Sequence, residues 1–191
     1  MSLRPTSLPL ICGLALSGLM PLAAQAQQQL VPAQSEIAFV SRQMGVPVEG
    51  KFKSFSAQLA FDPAKLATSK IAFTVDTGSA SISREADAEL PKATWFNVAQ
   101  FPKATFTSSS IKRIDATKYE VAGKLSIKGA SSDVVVPVTL AQSGATTTAT
   151  GAFPIKRLAF RIGEKEWADT SMVADEVQVK FKLALTGVPK L

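Results

Sequence analysis

Alternation of apolar and polar residues is the dominant pattern along the chain. It is clearest in residues 118–128, where the apolar side consists of Tyr119, Val121, Gly123, Leu125 and Ile127. The pattern returns in residues 173–185, with valine, phenylalanine and leucine on one side and lysine, glutamine and glutamate on the other. A period of two with one polar face is typical of an antiparallel strand that has one face in water.

Weaker alternation predicts further strands in residues 37–44, 48–61, 71–75, 104–111, 134–140 and 146–155. Helical character is confined mainly to residues 83–98, where Ser83 is a candidate N-cap ahead of two acidic residues. The pattern therefore predicts an all-β fold of about eight antiparallel strands, which can protect its edges as a sandwich or as a closed barrel.

Aromatic residues occupy the apolar faces of most of these strands. They are Phe39, Phe52, Phe55, Phe73, Phe106, Phe153 and Phe181. A barrel of about eight strands is just wide enough to hold side chains or one small ligand. The aromatic faces favour a barrel over a sandwich, and the same residues either fill its core or line a cavity.

The densest aromatic cluster lies in a connecting segment, residues 90–106, with the sequence LPKATWFNVAQFPKATF. Pro91 and Pro102 interrupt it, so it is neither a regular helix nor a regular strand. Trp95 and Phe96 give it large apolar side chains. They either cover an open barrel interior or fill a core between the connector and the sheet, and composition leaves both interpretations open.

Residues 1–26 predict a secretory signal peptide. They contain one charge, Arg4, followed by a mostly apolar run in residues 8–24 and the small-residue cleavage site Ala24-Gln25-Ala26. The run is interrupted by Pro21 and is short of the roughly 20 apolar residues that span a bilayer. We expect cleavage after Ala26, a periplasmic location, and one domain formed by residues 27–191.

Two residue types that carry much of enzyme chemistry are missing from that domain. The chain has no histidine, and its single cysteine, Cys12, lies in the signal segment. Nucleophiles activated by histidine, thiol chemistry and most zinc sites are therefore excluded. The acidic clusters in residues 85–89 and 164–169 lack the spacing of a calcium loop. We expect no catalytic residues, no metal, no cofactor and no enzymatic activity.

The charge of the predicted mature domain is mildly basic. Only Arg4 of the 21 basic residues is lost with the signal segment, which leaves 20 basic against 15 acidic residues, a net charge of +5. The basic residues are spread along the chain, so we expect no nucleic-acid partner, but a transient contact with an anionic membrane surface is compatible with this charge. The basic residues 156–161 are interpreted as a solvated strand face or as a steering site for an anionic lipid headgroup.

Several short motifs follow one another in a specific order. They are Phe39, Gly50-Lys51-Phe52, Phe61-Asp62-Pro63, Gly78-Ser79, Trp95-Phe96-Asn97, Phe101-Pro102, residues 123–129 and residues 157–163. This order resembles the YceI family of exported lipocalin-like proteins over nearly all of residues 27–191. The resemblance implies an elongated antiparallel barrel, with one or two short helices in the connector after the third strand. It also implies an interior that binds isoprenoid lipids, either quinone-like or prenyl phosphates, without catalytic residues.

The chain departs from the family pattern near the first-strand phenylalanine. Many relatives carry a histidine on each side of it, whereas here the flanking residues are Gln34-Ser35 and Arg42-Gln43-Met44. The resemblance therefore supports binding of an apolar chain and leaves the headgroup open.

The resulting hypothesis is a periplasmic carrier that holds an isoprenoid or other long-chain lipid. Its apolar wall is predicted to include Phe39, Phe52, Phe73, Trp95, Phe96, Phe106 and Phe181. One alternative is a filled barrel that acts as a stress-related interaction module without a ligand. The other is an exported hydrolase on a barrel scaffold. The sequence assigns no oligomeric state.

Overall fold

Residues 27–191 are described by the structure, which is a computed structural model. The predicted signal segment, residues 1–26, lies outside the described residues together with its cleavage site. Within residues 27–191, no helix has the length and apolar character needed to cross a membrane.

The described chain forms one antiparallel sheet of eleven strands, which confirms the predicted fold class. The strands are β1 (Gln29–Leu30), β2 (Glu36–Gln43), β3 (Val46–Phe52), β4 (Phe55–Ala60), β5 (Lys70–Asp76), β6 (Ala80–Ser81), β7 (Lys103–Arg113), β8 (Lys118–Ile127), β9 (Ala130–Ser143), β10 (Thr146–Lys156) and β11 (Glu176–Thr186). Their order in the sheet is β4-β5-β7-β8-β9-β10-β11-β2-β3-β6, and β1 pairs with β11.

The sheet curls into a barrel because β3 and β4 are two halves of one bent strand. β3 pairs with β2 and β4 pairs with β5, yet only Lys53 and Ser54 separate the two halves. The Ser54 carbonyl oxygen accepts a hydrogen bond from the Asp76 amide at 3.0 Å across this corner. Counting β3 and β4 together and leaving out the two-residue β1 and β6 gives eight strands.

The prediction of one uninterrupted strand over residues 48–61 is therefore wrong at its centre. Phe52 and Phe55 are three residues apart, so a regular strand would place them on opposite faces. The bend at Lys53 and Ser54, both exposed, lets Phe52 and Phe55 both pack against buried clusters.

Within residues 27–191, regular α-helix is limited to α1 (Arg84–Glu89), in the connector between β5 and β7. The Ser83 hydroxyl accepts a hydrogen bond from the Ala86 amide, as expected for an N-cap. The helix ends with Leu90 as its C-cap because Pro91 has no amide N–H to continue the helical hydrogen bonds, and residues 91–100 form a series of turns. Five short 3₁₀ segments complete the part of the chain that the structure describes: Pro32–Gln34, Leu66–Thr68, Thr77–Ser79, Arg157–Phe160 and Lys165–Trp167. The last two lie in a long connector that the sequence pattern did not identify.

Two clusters of buried apolar residues pack inside the barrel at opposite ends of β8. Tyr119 and Val121, at the start of β8, belong to one cluster, which we call the Tyr119 cluster. Leu125 and Ile127, at its end, belong to the other, called the Phe96 cluster after the connector residue that it contains.

Candidate functional site

An apolar cavity of ≈ 380 Å³ extends along the barrel and is lined by members of both clusters. Pockets that bind small molecules typically measure about 300–1,000 Å³. The seven aromatic residues predicted from the sequence all line this cavity: Phe39, Phe52, Phe73, Trp95, Phe96, Phe106 and Phe181. Their contact with a ligand stays a prediction.

The aromatic connector packs directly on aromatic residues of the strands. The ring centroid of Phe96 lies 6.1 Å from that of Phe52 in an edge-on arrangement, and Phe52 lies 5.4 Å from Phe39. Trp95 packs against Trp167 of the later connector at 5.4 Å. Phe96 is buried in its cluster and also lines the cavity, so the core and cover interpretations of this residue are compatible.

Three strand glycines explain why the barrel is not filled. Gly50, Gly123 and Gly151 each lie beneath a phenylalanine ring of the neighbouring strand, those of Phe39, Phe106 and Phe181. A Cβ atom at any of the three glycines would come within 3.0 Å of a ring carbon. The rings can therefore lie flat against the wall where no side chain intervenes, which leaves the centre of the barrel open.

The cavity wall also contains polar atoms that have no partner. Tyr119 is 2% exposed, and its ring packs edge-on against Phe61 with centroids 5.5 Å apart. Its hydroxyl group is buried without a hydrogen bond, as is the Nε1 atom of Trp95. Most buried polar groups in proteins have a hydrogen-bond partner, so an unpaired group in a cavity wall is a candidate contact for a ligand.

Among residues 27–191, the cationic residue that lines the cavity is Arg157, which is 2% exposed. All five of its N–H donors bind backbone carbonyl oxygens. The acceptors, at 2.6–3.0 Å, belong to Ile162, Gly163, Trp167, Val173 and Ala174. Burial lowers the pKa of Arg157 from its ordinary value, and the Asp175 carboxylate opposes this shift.

Both interpretations of the basic residues 156–161 are therefore incorrect at Arg157. The side chain is neither solvated nor free to bind an anion, because it organises the connector between β10 and β11. Nearby, Lys128 is 4% exposed and its Nζ atom lies 2.9 Å from a carboxylate oxygen of Glu164. This hydrogen bond is the main cause that lowers the pKa of Glu164. Residues 27–191 contain no cluster of three or more potential metal ligands.

Several wall residues were absent from the predicted set. Tyr119, Val121, Leu125 and Ile127 line the cavity from the inward face that alternation had identified in β8. The sequence pattern identified these four residues as inward-facing, but it did not distinguish residues that line a cavity from residues that fill a core. Trp167 gave no signal, because it lies in an irregular connector.

One exposed residue of the cavity lining, Gln43, lies at the hairpin of β2 and β3. Gln43 forms an isolated β-bridge with Val173, and the other lining residue in residues 27–191 with a largely exposed side chain is Glu89, at 44%. The next residue, Met44, is 71% exposed, and its amide donates to the Met172 carbonyl oxygen at 2.9 Å. Val46 and Met172 are also exposed, at 63% and 47%. We call Met44, Val46 and Met172 the apolar rim.

Comparison with known proteins identifies relatives over most of the described chain. The YceI-like domain family matches residues 28–185. Protein YceI of Salmonella arizonae is 37% identical over 92 residues, which cover 48% of this chain and 46% of that protein. The matched segment thus spans about half the length of the curated relatives.

Solved structures extend the similarity. Burkholderia cenocepacia BcnA is 49% identical with a TM-score of 0.78, over 81% of this chain and 98% of that one. The Campylobacter jejuni YceI protein is 26% identical with a TM-score of 0.65, over 72% and 83%. A polyisoprenoid binding domain from Saccharophagus degradans has a TM-score of 0.68 over 84% and 98%. At 14% identity, this last similarity shows a shared fold.

Proposed function

Since the chain belongs to the YceI-like family, we propose that it is a binding protein that carries a long-chain lipid of the isoprenoid type inside its barrel. The observation that carries this proposal is the open apolar cavity of ≈ 380 Å³. Each methylene group that enters it contributes about 0.8 kcal/mol before the cost of ordering the chain. A long lipid can therefore be held without a sequence motif for its recognition. The polyisoprenoid binding domain from Saccharophagus degradans has the same fold.

The wall chemistry supports binding rather than catalysis. Its two charged side chains in residues 27–191 are Glu89 and Arg157. Glu89 forms an exposed ion pair with Lys92, and Arg157 has all its donors on backbone carbonyls. This wall is poorly suited to the hydrolase alternative. The open volume also disfavours the filled interaction module.

We place the carrier in the periplasm, on the basis of the signal peptide predicted for residues 1–26. The apolar rim supports a transient membrane contact as the route of lipid exchange. It lies next to Gln43 and Val173, which line the cavity, so a lipid leaving a bilayer at the rim would reach the interior directly.

We expect protein purified without denaturation to release an isoprenoid-type lipid into organic solvent. Trp95→Ala and Phe181→Ala should lower the amount released, because both residues line the cavity. Their stability cost should stay below the roughly 3–5 kcal/mol of a Phe→Ala change in a filled core. Lipid mass spectrometry measures the released lipid, and the denaturant midpoint measures the stability.

The intact mass of the exported protein should correspond to residues 27–191, because we expect cleavage after Ala26.

Phe55→Ala is the matched control, since Phe55 packs against the Tyr119 cluster but does not line the cavity. It should lose stability and keep its lipid. Absence of lipid from every preparation would favour the ligand-free module. A Trp95→Ala protein that is strongly destabilised but retains its lipid would show that Trp95 serves the core alone.

Polar substitutions in the apolar rim should slow lipid exchange. We expect Met44→Ser combined with Met172→Ser to slow transfer of a fluorescent lipid between the protein and anionic vesicles by about tenfold. This is the size expected when two apolar side chains lose their contacts with the bilayer. Ile114→Ser combined with Val135→Ser is the control, because both residues are 57% exposed and do not line the cavity. Equal slowing in both pairs would argue against the rim as the membrane contact.

A further inference from the structure

Two neighbouring strands of the barrel wall, β9 and β10, are paired along only part of their length. Their register ends at Val138 and Gly151, although both strands continue and stay paired with their other neighbours, β8 and β11. We call the stretch between residues 133–137 of β9 and residues 152–156 of β10 the seam. The backbone ladder that joins the two strands does not extend into the seam.

Two prolines explain why pairing stops at this point. In an antiparallel sheet, each residue directs its N–H and C=O groups at one neighbouring strand, and the next residue directs its own at the other. The Leu140 amide donates at 2.8 Å to the turn before β8, so Pro137, three residues earlier, directs its nitrogen at β10. The Arg157 amide donates at 2.8 Å to the residue before β11, so Pro154, three residues earlier, directs its nitrogen at β9. Neither proline has an N–H, so the two hydrogen bonds that they would donate across the seam cannot form.

The inward side chains of the seam are part of the cavity wall. Val136 on β9 and Phe153 and Ile155 on β10 all line the cavity. Phe153 and Ile155 are half-buried and pack against the Phe96 cluster. At the seam, the wall is therefore closed by the packing of apolar side chains rather than by a ladder of backbone hydrogen bonds.

The connector after β10 fastens the end of the seam. The Arg161 Nη2 atom donates to the Lys128 carbonyl oxygen at 2.9 Å, and the Lys128 Nζ atom donates in return to the Arg161 carbonyl oxygen. Lys128 lies in the turn between β8 and β9, on the other side of the seam, and also binds Glu164 at 2.9 Å. The seam thus has an unpaired middle between two fixed ends.

Parting the seam differs physically from parting two paired strands. Separating paired strands breaks the regular series of hydrogen bonds between their backbones. Separating the seam moves apolar side chains apart, and a lipid chain that enters between them replaces their contacts with apolar contacts of its own. Little apolar surface then meets water during the passage.

The seam and the apolar rim lie at the same end of the barrel. Pro154, Gln178 and Val40 form one cross-strand row from β10 to β2. Two strand spacings, about 10 Å, separate Pro154 from Val40, and Gln43 beside the rim lies about 10 Å farther along β2. A protein that contacts a bilayer through the rim therefore holds the seam close to the membrane surface.

We propose that the seam is a lateral gate, at which β9 and β10 part beside Pro137 and Pro154 so that a lipid chain passes sideways through the wall into the cavity. The inference rests on the proposed carrier function and adds the place at which the barrel opens. The ladder beyond Val138 and the hydrogen bonds between Lys128 and Arg161 limit the opening to the seam.

Crosslinking across the seam tests the gate directly, because residues 27–191 contain no cysteine. Val135 and Pro154 are exposed and would lie opposite each other if the register of β9 and β10 continued. The Val135→Cys, Pro154→Cys protein is loaded with a fluorescent lipid, joined by a short bismaleimide and mixed with anionic vesicles. We expect the crosslinked protein to release lipid more than about tenfold more slowly than the same protein before crosslinking, because the link prevents the strands from parting.

The matched control is a crosslink across a complete ladder. Ala122 and Val135 are paired between β8 and β9. Joining the two strands in the Ala122→Cys, Val135→Cys protein should leave the rate of lipid release unchanged, since our proposal keeps this pair of strands together during exchange.

Restoring the missing donors is a second test that adds no crosslink. Pro137→Val combined with Pro154→Val supplies two N–H groups opposite the carbonyl oxygens of Ala152 and Val135. We expect lipid exchange to slow by about 5- to 30-fold, the equivalent of one or two hydrogen bonds that must break before the gate opens. The melting temperature should stay unchanged or rise.

Pro47→Val is the control for adding a donor to a strand. Pro47 lies opposite Arg42, whose carbonyl oxygen accepts a hydrogen bond from the Ala174 amide at 2.9 Å, on the side away from β3. Pro47 therefore directs its nitrogen at the outer edge of β3 rather than at β2. Its replacement should leave lipid exchange within about twofold of the wild-type rate, because the new donor closes no seam.

The outcomes separate the gate from the carrier function. If the wild-type protein neither takes up nor releases lipid, the carrier function fails. If lipid exchanges and the crosslink across the seam does not slow it, the carrier function stands and the gate is wrong. Equal slowing by both crosslinks would also overturn the gate. Exchange as fast in the Pro137→Val, Pro154→Val protein as in wild type would overturn the role of the two prolines.

Discussion

Replacing Arg157 with methionine is expected to lower the free energy of unfolding by about 3–5 kcal/mol, because the change leaves several buried carbonyl oxygens without a donor. Those oxygens belong to the turns of the connector between β10 and β11, which contributes Trp167 and Val173 to the cavity wall. For a domain of this size the melting temperature should fall by roughly 10 °C, which calorimetry would measure. Lipid retention should fall as well, since this wall is no longer held in place.

Arg161→Met is the matched control for this change. Arg161 is exposed and donates one hydrogen bond, to the Lys128 carbonyl oxygen. Its loss should cost less than about 1.5 kcal/mol. Arg157→Lys should be intermediate, because a lysine keeps the charge but has three donors instead of five. If the Arg157→Met and Arg161→Met proteins are equally stable, the hydrogen bonds from Arg157 to the five backbone carbonyl oxygens do not stabilise the fold.

Adding one methyl group at Gly50 is expected to close part of the cavity. The three heavy atoms nearest to a Cβ at this position belong to the side chains of Phe39 and Ile82, and no backbone atom is among them. In Gly50→Ala the Phe39 ring must therefore turn away from the wall and into the interior. We expect a loss of about 1–3 kcal/mol from overpacking. We also expect a reduction of bound lipid, measured by mass spectrometry of the organic extract.

A second substitution tests whether the ring is responsible. Phe39→Leu in the Gly50→Ala background supplies a smaller side chain and should restore part of the stability and of the lipid content. Gly78→Ala is the control, because the side chains nearest to a Cβ at this position are those of Val98 and Asp76, at 3.2 and 3.3 Å, and neither lines the cavity. Undiminished lipid in Gly50→Ala would mean that the flat phenylalanine rings do not keep the barrel open.

Alternation predicted the strands and their inward faces because each strand obeys the period of two locally, and the aromatic residues on those faces favoured a barrel over a sandwich. Five of the predicted aromatic residues lie on the cavity wall for the same reason, namely Phe39, Phe52, Phe73, Phe106 and Phe181, whereas Trp95 and Phe96 reach the wall from the connector. The bend at Lys53 and Ser54 did not follow from the pattern, since it depends on which neighbours β3 and β4 find. The pairing of Gly50 with Phe39 likewise depends on cross-strand register, which a single sequence does not contain.

Arg157 shows more clearly that the composition of a segment does not predict the role of each of its residues. The prediction of a solvated basic segment is right for Lys156 and Arg161, which are exposed, and wrong for Arg157, which is buried. The carbonyl oxygens that surround Arg157 come from residues 162–174, and their identities carry no signal because any residue supplies a carbonyl. The unpaired hydroxyl group of Tyr119 could not be predicted either, because alternation shows only that Tyr119 faces inward.

The pairing of β2 with β11 joins strands that are far apart in the sequence, and this separation affects the order in which the barrel folds. Ile37 lies opposite Phe181, so strands from the two ends of the domain form one wall of the barrel. Contacts between residues so distant in sequence form late and slowly, because a large loop must close first. Both residues line the cavity, so no enclosed interior exists until the last strand has docked. If the chain carries a lipid as proposed, we expect uptake to follow folding, so refolding without lipid should yield a protein that can still bind it.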